Sequence, residues 1–370
     1  MDLNQITKHT IFLTQVGSQA YGTSTPASDE DLGGVCIPSF EYRFGLRQFE
    51  QANKWNDENG QPIDKTIYNL PKAVSLMLEN NPNMMDYLFM PTRCIKLMTP
   101  EWERILEHRD LFVSSKCKHT YSGYAHAQLE RLMTHRRYLE NPIAKPKRED
   151  FGLSDKCVFP ETQYESIAKI STDYVEHDRK DEFVGEAVHF FDTELPLLLR
   201  KYVNHDIVHV LVDEVKRGQA GYLRSLASIS SIYLKEEWHD AAQKELRFIG
   251  AMKDWKRYES WKNGRNAKRQ AMEAKCGFDS KHGMHLIRLQ AMSVEILEGK
   301  GILVDRTGID REMLMEIRNG EWRLDQVMDL SNSLEAKAQS LYETTKIPRE
   351  PARDKIMGIV LDILKTYPEW

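Results

Sequence analysis

Residues 11–16 form an apolar run containing Ile11, Phe12, Leu13 and Val16; it breaks at Gly17-Ser18, and strand-like sequence resumes at 31–37. No other feature constrains the fold as tightly, because such runs bounded by turn formers read as two strands joined by a loop. Gly17 lets a phosphate approach the backbone, and Ser18 adds a hydroxyl donor. After ten further residues come Asp29-Glu30-Asp31. Side chains on a strand alternate faces, which predicts Asp29 and Asp31 on one face and Glu30 on the other. Two carboxylates beside a phosphate-cradling turn suit Mg²⁺, a hard cation that takes oxygen ligands and completes its shell with substrate phosphates. The same aspartates, close to Pro26 and Ser28, also suit a plain turn.

A metal-dependent transfer site needs a third carboxylate, and Asp64 is the best placed. It opens a strand-like run, 64–68, that leads into a helical pattern over 69–79 ending at Asn80-Asn81-Pro82. Pro71 falls in the first turn of that helix, where a missing N–H costs little. Asp57 and Glu58 are weaker candidates because they lie in the polar turn sequence 55–60, and a loop holds a ligand less firmly than a strand.

The spacing of Gly17-Ser18 and Asp29-Glu30-Asp31-Leu32 resembles the signature of the DNA polymerase β nucleotidyltransferase superfamily. Further stretches, 17–23, 28–35, 64–68 and 81–89, are similar to the YcgL-like bacterial and phage group of nucleotidyltransferases. The likeness is good over 11–90 and 265–350 and poor between them. Glu30 departs from the wider superfamily, which usually has an apolar residue there, and the departure suggests an exposed face. The resemblance implies two Mg²⁺ ions held by Asp29, Asp31 and Asp64, a nucleoside triphosphate bound by Gly17, Ser18 and Ser28, and transfer of its nucleoside monophosphate to an acceptor hydroxyl. An RNA 3′ end such as that of tRNA, a protein hydroxyl and a small molecule all remain open as acceptors. A transferase fold that only binds nucleic acid is the alternative of a different class.

At 370 residues the chain can bury a substantial core. Strand and helix signals alternate up to about residue 95 and helical patterns follow, which predicts an α+β protein: a small mixed-sheet nucleotidyltransferase core over 1–110, then a mostly helical domain over 111–370. A helix is expected at 121–139 and an extended connector at 142–153, whose Lys145, Lys147 and Arg148 suit phosphate contact but read more simply as a solvated loop. Residues 160–250 show amphipathic helices without a chemical motif. The five cysteines, Cys36, Cys94, Cys117, Cys157 and Cys276, are scattered without paired spacing and read as reduced thiols. With no export signal and no apolar run long enough to span a bilayer, a cytoplasmic protein without membrane partners is expected.

A net charge of −5 gives no overall basic footprint, yet bases are concentrated over 253–288. Up to Lys275 they interleave with Trp255, Tyr258 and Trp261, as either a nucleic-acid surface or an amphipathic helix would arrange them. Asp279 or Ser280 then caps a helix running to Glu298. Lys281, His285 and Arg288 recur there on one face, as either a cationic surface for the triphosphate or packing histidines with surface ion pairs would arrange them, and the resemblance, which places this segment beside the active site, favours the first for Lys281 and Arg288. A metal site at His282 and His285 is incomplete, for want of a third ligand.

Overall fold

The computed structural model describes residues 2–26, 28–43, 47–56, 60–155, 236–265 and 267–367. Asp57, Glu58, Cys157 and most of the 160–250 stretch lie outside these residues. Two compact units are present, one made of 1–140 with 266–370 and the other of 141–265.

The first unit opens with helix α1 (Leu3–Lys8), capped by Asp2 Oδ1 accepting from Gln5 N at 2.8 Å. Strands β1 (Thr10–Gln15) and β2 (Leu32–Cys36) follow, then the short helix α2 (Phe40–Arg43) and strand β3 (Gln51–Ala52). A two-stranded ribbon, β4 (Trp55–Asn56) and β5 (Pro62–Ile63), precedes β6 (Lys65–Asn69), and β7 (Ile95–Met98) completes the set. The main sheet has the order β3-β6-β2-β1-β7. It is mixed: β2 pairs with β6 in parallel, and the other neighbours are antiparallel.

The interior position of β1, between β2 and β7, explains its composition. Thr10, Ile11, Phe12 and Thr14 are all buried, as a strand covered on both faces requires. Phe12 stacks on Trp102 of α5 (Pro100–Leu106) at 4.7 Å between ring centroids. The opposite arrangement holds in β2, where Gly33 leaves room for a neighbour: a Cβ there would lie 2.0 Å from Tyr87 Oη. That glycine lets α4 (Pro82–Leu88) sit directly on the sheet. Helix α3 (Leu70–Leu78) starts where expected, with Asn69 Oδ1 accepting from Lys72 N at 2.6 Å and Pro71 in the first turn.

Helix α6 (Cys117–Glu140) begins one turn earlier than the sequence suggests. It packs along α9 (Ser280–Leu297), and α9 in turn packs on α10 (Arg311–Arg318) and α11 (Leu324–Thr344); α8 (Ala267–Cys276) and α12 (Arg353–Thr366) complete the unit. One hydrophobic core therefore runs from Phe12 and Val35 of the sheet through Met77 and Met84 to Ile287 and Met292 of α9. This continuity is why the compact units do not divide near residue 110, where the sequence pattern sets the end of the core: α6 and α9 close the sheet's own core rather than starting another.

The second unit contains a 3₁₀ turn at Arg148–Phe151 and helix α7 (Glu236–Asn263). Within it, Phe151 meets Phe248 edge to face at 5.6 Å, and Arg148 forks onto the Glu245 carboxylate. Arg148 is thus tied into structure rather than solvated. The basic aromatic stretch is split between the units, with Trp255, Tyr258 and Trp261 on α7 and residues 267–275 on α8. Lys145 lies 5.3 Å from the Trp255 ring and Arg265 lies 4.3 Å from the Trp261 ring, so these aromatics already carry cations of their own unit. No described helix is long and apolar enough to cross a membrane.

Candidate active site

The loop that leaves β1 defines the site. Gly17 has φ +64°, a left-handed conformation that favours glycine, and a Cβ there would lie 3.0 Å from Asp31 Oδ2. The turn closes through Tyr21 N donating to Gly17 O (3.1 Å) and Thr23 N to Ser18 O (3.0 Å). It is pinned from outside by the C-terminal part of the unit. Arg306 N donates to Tyr21 O (3.1 Å), Arg311 Nε to Gly22 O (2.5 Å) and Arg318 Nη1 to Thr23 O.

Strand β2 starts at Leu32 and β6 at Lys65, so Asp29, Asp31 and Asp64 stand in the extended lead-ins rather than on the strands. The ladder nevertheless continues through them, with Val16 N donating to Asp31 O (2.9 Å) and Leu32 N to Asp64 O (2.8 Å). Because β2 and β6 are parallel with Leu32 opposite Lys65, Asp31 and Asp64 meet at the same end of the sheet. Burial and the neighbouring Asp64 raise the Asp31 carboxyl above its ordinary range; Asp29 adds to the effect and Lys281 opposes it. Asp31 and Asp64 line a cavity of about 280 Å³ together with Gly17, Thr66, Tyr68, Asn83 and Asp86. Asp29 is exposed and outside that lining, so it reaches Asp31 by its charge. Glu30 turns away, accepting from Gln15 Nε2 at 2.6 Å.

Helix α9 forms the facing wall. Asp279 caps it, accepting from Lys281 N (3.1 Å) and His282 N (3.2 Å). Lys281, His285 and Arg288 all line an adjoining cavity of about 880 Å³ that shares Gly17, Tyr21 and Asn83 with the smaller one. Two of the three differ from a simple cationic surface. Burial and the nearby charges of Arg288 and Lys281 hold the His285 imidazole well below its usual range, so it is neutral at pH 7. Arg288 is 4% exposed, with its guanidinium 3.7 Å from the Tyr21 ring centroid and Nη1 donating to Met292 Sδ at 3.1 Å.

The remaining expected nucleotide contacts divide. Ser18 is half-buried in the turn and lines neither cavity. The Ser28 hydroxyl accepts from Thr25 N at 2.9 Å and lies 3.4 Å from Arg318 Nη2, which gives it the task of holding the loop.

Sequence reasoning passed over Asp86, although it sits inside the 81–89 motif. Asp86 is 4% exposed, accepts from Tyr21 Oη through Oδ2 at 2.7 Å, and presents a buried Oδ1 with no hydrogen-bond partner. Burial pushes its carboxyl up to about 6, against the pull of Arg288, the Tyr21 bond and Arg306. Tyr21, Asp86 and Arg288 thus form a buried charge-compensated cluster between the two cavities. An aspartate between Met85 and Tyr87 in a short, mostly apolar helix was the available signal.

Residues 2–142 match the model of RlaP, the RNA repair pathway DNA polymerase beta family. That match supports the superfamily recognised from Gly17-Ser18 and the acidic triplet, and the mixed sheet followed by helices is the α+β arrangement expected of it. Among curated proteins, similarity extends to an uncharacterized 38.9 kDa protein from the nrdC-mobD intergenic region of Enterobacteria phage T4, 28% identical over 126 residues. The alignment covers 32% of this chain and 37% of that protein, so the chain spans little more than a third of its relative's length. No solved structure matches the chain. These similarities carry a class, the polymerase β-type nucleotidyltransferases, for the first part of the chain.

Proposed function

We propose that the protein transfers a nucleoside monophosphate from a nucleoside triphosphate to a hydroxyl at an RNA 3′ end. The observation that carries this reading is the meeting of Asp31 and Asp64 at the ends of two parallel strands, against the Gly17 turn and opposite Lys281. The RNA acceptor is drawn from the RNA repair pathway named for the matching family.

The donor set fits Mg²⁺. Asp31 and Asp64 offer carboxylate oxygens, the ligands a hard cation takes, and the burial and Asp64 repulsion that raise Asp31 are both offset by a divalent cation. Asp31 and Asp64, joined by Asp29 from the exposed side, would hold two such ions, which when bound neutralise the triphosphate and make the acceptor hydroxyl more acidic. Gly17 keeps the turn free of a side chain where phosphate oxygens must pass, and Lys281 places a positive charge across from the carboxylates. Neutral His285 can share a hydrogen bond with the nucleotide without adding charge. Arg288, held by Tyr21 and Asp86, stiffens the wall on which these groups stand. The acceptor oxygen bonds to the α-phosphorus, the α–β bridging P–O bond breaks, and pyrophosphate departs.

The test supplies each α-³²P triphosphate with Mg²⁺ and RNA carrying either a free or a periodate-oxidised 3′ end. Label retained on free-ended RNA alone is the expected result. Label on protein would move the acceptor to a protein hydroxyl, label in the small-molecule fraction would move it there, and no triphosphate turnover with any of the three would leave only the nucleic-acid-binding alternative.

A further inference from the structure

A second cluster of ligating side chains lies in the first unit and shares no residue with the carboxylate site. His135 comes from α6, Asp279 is the cap of α9, and His282 stands in the first turn of α9; their ligand atoms all fall within 4.8 Å of one another. His135 Nδ1 is 3.4 Å from Asp279 Oδ2, and His282 Nε2 is 3.5 Å from the same oxygen. In a tetrahedral zinc site with bonds of about 2.0–2.1 Å, neighbouring ligand atoms stand roughly 3.3–3.4 Å apart. The two nitrogen-to-oxygen edges therefore already have the dimensions of such a site.

The supporting groups are arranged as a metal requires. Asp279 is 3% exposed, and its Oδ1 is committed to the backbone N–H groups of Lys281 and His282, which turns Oδ2 toward the imidazoles. His282 Nδ1 is 2.7 Å from Gln128 Oε1. With an amide oxygen at that position Nδ1 donates, and the neutral ring then presents Nε2 as an acceptor toward a carboxylate oxygen. Two acceptors facing one another call for a cation between them, either a proton or a metal. A ligating histidine steered by a hydrogen bond at its other nitrogen is the usual second layer of a metal site.

We propose that His135 Nδ1, His282 Nε2 and Asp279 Oδ2 bind a zinc-class transition ion, with the fourth coordination position open toward the larger cavity that Gln128 and His282 line. Two imidazoles and one carboxylate select a borderline cation of this kind, whereas the all-oxygen set at Asp31 and Asp64 suits Mg²⁺. The inference does not depend on the transfer reaction, because the two donor sets have no residue in common.

Co²⁺ is the probe, added to chelator-treated full-length protein in excess Mg²⁺. One equivalent is expected to produce the intense visible absorption of a four-coordinate ion, and Zn²⁺ to displace it. His135→Ala and His282→Ala should each abolish the band. Asp31→Asn should retain it, and Gln128→Ala should weaken affinity by about tenfold. A weak six-coordinate spectrum shared by wild type and both histidine variants would overturn the proposal, as would a band lost in Asp31→Asn and kept in His135→Ala. Should the histidine variants fail to fold, the wild type decides: Zn²⁺ raises its melting midpoint where equal Mg²⁺ does not, and equal shifts from both ions would refute the site.

Discussion

The two walls of the candidate site are built on opposite principles. On the sheet side, acids stand at strand ends, half-buried or exposed, and repel one another; on the α9 side, Arg288 is sealed in and balanced by Asp86 and Tyr21. Unrelieved charge at an accessible edge is free to act on a ligand, while compensated charge in the interior fixes geometry. The sheet side is accordingly assigned the chemistry and most of the helix side the framework, with Lys281 as the exception that reaches across.

The largest effect expected is from Asp31→Ala, which should lower transfer by at least about 10³-fold, roughly 4 kcal/mol of transition-state stabilisation, with little change in the urea midpoint. Equal losses of activity and stability would break the contrast between the walls. Arg288→Met should do the reverse, destabilising the fold by about 3 kcal/mol because Asp86 loses its principal counter-charge. Adding Asp86→Asn should restore much of that loss, and strict additivity of the two changes in a double-mutant cycle would show that the pair is not coupled.

A third test uses pH. Burial pushes the folded Asp86 carboxyl up to about 6 from its ordinary 3.8, so between those values the native state holds a proton that the unfolded chain has released. The stability this group contributes is therefore full below about pH 4 and is lost as pH rises through 6, a change on the order of 3 kcal/mol. Urea midpoints of wild type and Asp86→Asn compared at pH 4.5, 5.5 and 6.5, values spanning about the folded titration range, should show the variant with the flatter profile. Parallel profiles would remove Asp86 as their source. Smallest is Lys281→Ala, for which about a tenfold loss of transfer at unchanged stability is expected; an effect as large as that of Asp31→Ala would place Lys281 among the principal groups.

What could be read from sequence follows sequence distance. The β1 run, its break at Gly17 and the return at Leu32 are local, and so is the Asp279 cap of α9; each appears within a residue or two of its expected place. Strand limits were less legible, because an aspartate pair suits a lead-in as well as a strand, and only pairing with β6 settles where the ladder begins. The electrostatic character of α9 was not legible at all. Periodicity places Lys281, His285 and Arg288 on one face, but the depth of that face depends on Tyr21 and Asp86, supplied by distant segments. His135 is hidden for the same reason: it sits on a helix without a motif, and only the packing of α6 against α9 brings it to Asp279.

The loop after β1 takes its fixed shape from Arg306, Arg311 and Arg318, each bonded to its backbone carbonyls. During synthesis those arginines leave the ribosome long after the sheet's own strands have emerged. A nascent chain can thus assemble β1, β2 and β6 while the turn at Gly17 still lacks these restraints, so the final shape of the candidate pocket waits on the arrival of a segment that lies far along the chain.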